Sequence, residues 1–167
     1  MSEPGKHGSD QREFELKFEF DPAHRGAIEA HPRIAAALPE KEMLVSVYYD
    51  TPQLNLLKGQ VALRVRKRGN DYLQTIKGVG VNGSLFDRPE WEHALDQSEP
   101  DLKRAAGTAL EPILNKEVAA SLRPVFKTRI ERTVYRLSDA VSSVEVALDD
   151  GEIEGDSRWA TVHEVEL

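Results

Sequence analysis

The sequence predicts an α+β domain built on an antiparallel β-sheet. Three observations point there. Segments in which apolar and polar residues alternate with a period of two dominate the chain. Most of them follow one another directly or across short turn signals, as hairpin strands do. The few helical segments sit at the sides of this series.

The elements are read in order. Residues 1–11 are polar, contain Gly and Pro, and are expected to form a disordered tail. Residues 12–20 (REFELKFEF) alternate strictly and are read as a strand. Asp21 then offers an N-cap and Pro22 suits a first helical turn, so 22–37 is read as a helix open to interruption at Pro32. Residues 42–50 (EMLVSVYYD) are a strand. TPQLNLLKG supplies one or two helical turns stopped by Gly59. VALRVRKRG and DYLQTIKG are two strands joined across Gly69, Asn70 and Asp71. Residues 78–84 hold three glycines and an asparagine and are read as a loop. SLFDRPEWEHAL is a further strand, and 99–122 holds two weak helical stretches broken near Pro112. PVFKTRIERTVYRL, SSVEVALDDGEIEG and ATVHEVEL complete the strands. No internal repeat or linker interrupts 12–167, which is therefore one domain.

Composition narrows the function. At 167 residues and a net charge of −7, the chain is large enough to bury a core and too acidic for a generally basic nucleic-acid surface. It has no cysteine, which excludes a disulfide framework, a cysteine zinc site and a thiol nucleophile. No apolar run reaches the ~18 residues that span a bilayer, and the N-terminus lacks the apolar core of a secretory signal. The expectation is a cytoplasmic protein with neither nucleic-acid nor membrane partners. There is no phosphate-binding G-x-x-x-x-G-K-[ST] loop, and the five histidines are scattered without ligand spacing.

The polar faces of the strands are unusual. Glu13, Glu15, Lys17 and Glu19 share one face of the first strand, and Arg64, Arg66 and Arg68 one face of the third. Thr75 pairs by parity with Lys77, Arg88 with Glu90 and Glu92, Lys127 with Arg129 and Glu131, Glu145 with Asp149, and Glu164 with Glu166. Two arrangements account for this. The charged faces meet water and pair across strands. Alternatively the sheet curls into a barrel with its charges inside and its apolar faces covered by helices. Acids lie toward both ends of the chain and bases in the middle, so such a cavity has an acidic and a basic wall. Carboxylates suit Mg²⁺ or Mn²⁺, and Arg and Lys suit phosphate oxygens.

These residues resemble the CYTH superfamily, the triphosphate tunnel metalloenzymes. Glu13-Phe14-Glu15-Leu16-Lys17 fits its E-x-E-x-K signature. YYDTPQLNLLKGQVALRVRKRG, LQTIKG, RPEWEHAL, VEVALDDGEIEG and HEVEL follow in the family's order across 12–167. The pattern is most similar to the bacterial inorganic triphosphatase branch, whose members often carry a C-terminal CHAD domain. The resemblance implies an eight-stranded antiparallel β-barrel tunnel with flanking helices. It also implies metal-dependent hydrolysis of inorganic triphosphate or a related polyphosphate. Glu13, Glu15, Glu145, Asp149, Glu164 and Glu166 would hold Mg²⁺ or Mn²⁺. Glu13, Glu15 and Lys17 would be catalytic. Lys17, Arg64, Arg66, Lys77, Arg88 and Arg129 would bind the phosphates, with Lys127 and Arg132 competing for the place of Arg129 because a bulge can shift the register. On the same fold, thiamine triphosphatase, class IV-type adenylyl cyclase and a non-catalytic polyphosphate-binding module are the alternatives. The family commonly adds a helix after the last acidic strand. Its absence here leaves open whether the chain is a truncated domain of a longer protein, and a missing helix would expose apolar surface that favours a homodimer.

Overall fold

The computed structural model describes residues 16–79 and 89–167. Glu13, Glu15 and Arg88, the expected tail over 1–11 and most of the 78–84 loop lie outside the described residues. The strands are β1 (Lys17–Glu19), β2 (Glu40–Asp50), β3 (Ala62–Arg68), β4 (Asp71–Lys77), β5 (Glu90–Leu95), β6 (Arg123–Ser138), β7 (Ser143–Gly155) and β8 (Arg158–Glu166). They form one eight-stranded sheet in the order β1-β8-β7-β6-β2-β3-β4-β5, and every pairing is antiparallel. Among the described residues no ladder joins the edge strands β1 and β5. The sheet nevertheless curls. One cavity of about 590 Å³ is lined by side chains from β2, β3, β4, β5, β6 and β7.

The expected helix over 22–37 is broken into a 3₁₀ turn, α1 (Arg25–Glu29) and α2 (Pro32–Ala35). Asp21 caps the first turn by accepting from the Ala23 amide at 2.9 Å, and Pro32 opens α2 rather than continuing α1. Helix α3 (Asn55–Lys58) is held from outside its own turn. The buried Asp50 carboxylate accepts from the amides of Thr51, Leu56 and Leu57 at 2.7, 2.9 and 3.0 Å. Gly59 ends it with an ordinary negative φ of −79°, so left-handed backbone is not its reason. A Cβ there would lie 2.3 Å from Ile113 Cδ1, so close packing is. Gly69, by contrast, takes φ +59° in the β3–β4 hairpin, where glycine carries no steric penalty. The weak helical signals of 99–122 resolve into a 3₁₀ turn at Leu102–Ala105 and α4 (Lys116–Ser121).

The apolar core lies outside the curl, in two patches. Leu63 and Ile76 on the back of β3 and β4 pack against Leu56, Ala105, Leu110 and Val118. Tyr135, Val146 and Leu148 on the back of β6 and β7 pack against Ile34, with Ile28 and Val165 alongside. Helices therefore cover the apolar face, and the charged face is the concave one. This decides between the two arrangements that the alternation left open. Among the described residues no helix is long and apolar enough to cross a membrane.

Candidate active site on the concave face

Antiparallel register puts directly paired residues on the same face. Ser46 pairs with Arg66, and Tyr48 with Arg64. Glu42 pairs with Arg132, Arg132 with Asp149, Asp149 with Glu164, and Ala147 with Glu166. Lys17 pairs with Glu166 and Glu19 with Glu164. Arg64 pairs with Thr75, Ala62 with Lys77, Lys77 with Glu90 and Thr75 with Glu92. These chains of partners place Lys17, Arg64, Arg66, Lys77, Glu145, Asp149, Glu164 and Glu166 on the concave face. Arg129 is not there. It pairs with Val45 and Glu152, is exposed and points outward. The one register shift of the β2–β6 ladder lies between Tyr48 and Tyr49, at the far end of β6, so it does not bring Arg129 round. Arg132 is the inward base of this strand. Counting back from the Ser138–Ser143 pair at the hairpin sets Arg132 opposite Asp149, and that count could have found it from sequence.

The acidic wall is compact. Asp149, Glu164 and Glu166 each offer an oxygen, and these atoms lie within 4.8 Å of one another. Asp149 is only 4% exposed. Two cations hold the cluster together. Arg132 donates to both Asp149 oxygens at 2.8 and 2.6 Å and to Glu166 Oε2 at 2.5 Å. Lys17 Nζ meets Glu166 at 2.6 Å and Glu164 at 3.0 Å. For Lys17, burial disfavours the charge, but the hydrogen bond and charge of Glu166, then those of Glu164, outweigh it and push its pKa up to about 12. For Glu166, burial favours the neutral acid, yet Lys17 and Arg132 together hold its carboxyl below the usual range. Glu145 stands apart. It pairs with Arg136 at 3.4 Å and is half exposed.

The basic wall is less compensated. Arg64 is 9% exposed. It donates from Nη2 to Thr75 at 3.1 Å and lies 3.7 Å from Glu90, while its buried Nε has no hydrogen-bond partner among the described residues. Arg66 donates to the Ser46 hydroxyl at 3.1 Å. Burial, then the like charges of Arg64 and Arg132, lower its pKa. An incoming anion relieves both conditions. Lys77 meets Glu90 at 2.8 Å, so Glu90 sits between two bases at one end of the face.

The linkage of Glu166 gives a prediction with a definite sign. Its folded pKa is depressed, so its stabilisation is present above the unfolded carboxylate pKa of about 4.3 and is lost as pH falls through the folded value. In urea titrations without metal, Glu166→Gln is expected to cost about 2 kcal/mol at neutral pH. The gap from wild type should close toward pH ~3. A gap that is constant with pH would show that the Glu166 charge is not what stabilises the cluster.

A larger cavity, about 1010 Å³, lies on the outer side between α1, α2 and the β6–β7 hairpin. Its lining is mainly apolar, whereas the smaller cavity is lined by Arg66 and by Arg132, the partner of Asp149 and Glu166, so the charged chemistry lies on the concave side.

Known proteins resemble this chain in sequence and in fold. The chain is 30% identical over 125 residues to an inorganic triphosphatase of Haemophilus influenzae; the match covers 74% of this chain and 35% of that protein. The matched part is thus about a third of the length of that relative. Two solved structures share the fold. A candidate adenylate cyclase from Bacillus halodurans superposes with a TM-score of 0.64 at 17% identity, covering 92% of this chain and 78% of that one. A candidate adenylyl cyclase from Hippeastrum, with a dominant triphosphatase activity, superposes with a TM-score of 0.66 at 16% identity, covering 92% and 77%. The model of the CYTH domain matches residues 11–167, essentially the whole chain, and the chain belongs to that family.

Proposed function

We propose that the chain hydrolyses inorganic triphosphate to pyrophosphate and phosphate with the help of a divalent cation, Mg²⁺ or Mn²⁺. One observation carries this reading. A cluster of three carboxylates faces a set of under-compensated guanidiniums on the same concave surface. A pure polyanion binder gains nothing from the carboxylates. A metal-assisted phosphoryl-transfer site uses both walls.

The donor set fits a hard cation. Asp149, Glu164 and Glu166 supply oxygen ligands at mutual reach and already require positive charge beside them. Glu13 and Glu15 join them by the E-x-E-x-K motif, and Glu145 is left to its pairing with Arg136. A divalent cation held there supplies Lewis acidity to phosphate oxygens and lowers the pKa of a water. The chain's own groups do the rest. Arg64 and Arg66 accept the negative charge of the phosphates, with Arg64 Nε free to donate. Lys77 extends that wall, and Arg88 joins it by motif. Arg132 takes the phosphate-facing place expected for Arg129. Lys17, with a pKa near 12, stays protonated at neutral pH. It therefore acts as a fixed charge that orients Glu164 and Glu166, and not as a proton acceptor.

The test is phosphate release from inorganic triphosphate, thiamine triphosphate, ATP and long-chain polyphosphate, each with Mg²⁺, Mn²⁺ or EDTA. The expected result is release from inorganic triphosphate that EDTA abolishes. Release that persists in EDTA would remove the metal from the reading. No release from any substrate would leave a binding module.

A further inference from the structure

Behind the carboxylate cluster, on the outward face of the same strands, lies a second polar network that the proposed chemistry does not use. Arg25 of α1 donates from Nε to Glu29 at 3.1 Å and from Nη2 to the Thr133 hydroxyl at 3.0 Å, and its Nη1 pairs with Asp150. Asp150 also meets His163 Nδ1 at 2.7 Å. Tyr135 donates its hydroxyl to Glu29 at 3.1 Å. One guanidinium thus grips β6 through Thr133 and β7 through Asp150, and reaches β8 through His163.

Each gripped residue is the chain neighbour of a residue in the cluster. Thr133 follows Arg132, Asp150 follows Asp149, and His163 precedes Glu164. Period two sends neighbours to opposite faces, so the network holds the peptide units from which the cluster projects. Helix α1 has five residues and is too short to be stable alone. Its i, i+4 pair, Arg25 and Glu29, is directed at the sheet. Arginine suits this place because its rigid fork presents several donors in different directions.

We propose that Arg25 is a positioning residue for divalent-cation binding. From the back of the sheet it holds β6, β7 and β8 at the spacing where Asp149, Glu164 and Glu166 converge. This rests on the metal reading of that cluster.

The sign of one measurement separates positioning from simple electrostatics. Removing Arg25 deletes a positive charge close behind the cluster and leaves Asp150 without its guanidinium. Charge alone therefore makes the variant bind cations more tightly. Loss of positioning makes it bind them more weakly. The experiment is a calorimetric titration of the full chain with Mg²⁺ or Mn²⁺ alone, for wild type, Arg25→Ala and Arg25→Lys. The double variant Arg25→Met with Asp150→Asn, which leaves the net charge unchanged, completes the set. The expected result is about a tenfold weaker metal affinity in Arg25→Ala and in the double variant, with Arg25→Lys between them and wild type. The KM for triphosphate at saturating metal should stay within about twofold. Affinity that is unchanged or tighter in Arg25→Ala overturns the proposal. Should that variant fail to fold, Arg25→Lys and Tyr135→Phe carry the same test, and wild-type metal affinity in both overturns it. A wild type that binds no metal overturns the metal reading itself and the brace with it. A metal-binding wild type beside an unaffected variant overturns the brace alone.

Discussion

Asp149→Asn should slow phosphate release from inorganic triphosphate by about a thousandfold, roughly 4 kcal/mol of lost transition-state stabilisation. Asp149 is the most buried member of the acidic cluster, and both its oxygens are oriented by Arg132. Asparagine keeps the shape and one acceptor but removes the charge. The change therefore tests the carboxylate as a cation ligand more than as a packing element. Metal affinity should fall together with turnover. Steady-state phosphate release across a Mg²⁺ titration reads both quantities. Glu145→Gln is the matched control, with a much smaller expected loss, because Glu145 is half exposed and pairs with Arg136 away from the cluster. Wild-type turnover in Asp149→Asn, or equal losses in the two variants, would mean that the cluster is not the metal site.

The face on which these residues lie was legible in the sequence because parity is a property of the strand itself. Leu63, Arg64, Val65 and Arg66 declare two faces wherever the strand pairs, and β3 obeys them. Arg129 shows where parity stops helping. In KTRIERTVYRL, bases occur at both parities, and only the pairing partner decides which side is inside. That information is non-local, though the hairpin count from Ser138 and Ser143 holds it. The helical regions were less legible. Residues 22–37 contain apolar residues at mixed spacing, and Pro32 converts what would be one helix into two. Gly59 follows α3, as its sequence context suggests, but the left-handed backbone is at Gln60, φ +57°, and the space over Gly59 is filled by Ile113, far away in the chain. The polar brace of Arg25 had no sequence signal, since it is assembled from α1, β6, β7 and β8 only once the sheet has paired.

Arg132→Ala should destabilise the metal-free protein by about 3 kcal/mol, because breaking one side of a buried ion pair leaves the other side uncompensated. Here two carboxylates are left, Asp149 and Glu166, and among the described residues only Lys17 still reaches Glu166. For a domain of this size the loss corresponds to a melting temperature lower by roughly 10 °C. The same argument gives a second result of opposite direction. In wild type a cation entering the cluster competes with Arg132 for Asp149 and Glu166. In the variant it meets those oxygens unpaired. The rise in melting temperature on adding Mg²⁺ should therefore be larger in Arg132→Ala than in wild type, even though Arg132→Ala is the less stable protein. A packing defect would not behave this way, since metal does not refill a cavity. Nor would it respond to acid as this deficit should. Arg132 helps to hold the Glu166 carboxyl below its usual range, and protonation of Glu166 removes the charge that the variant leaves less compensated, so in EDTA the gap from wild type should narrow as pH falls through the carboxylate range. A gap that ignores both metal and pH would assign Arg132 to packing and would leave the proposed cation site without its electrostatic argument.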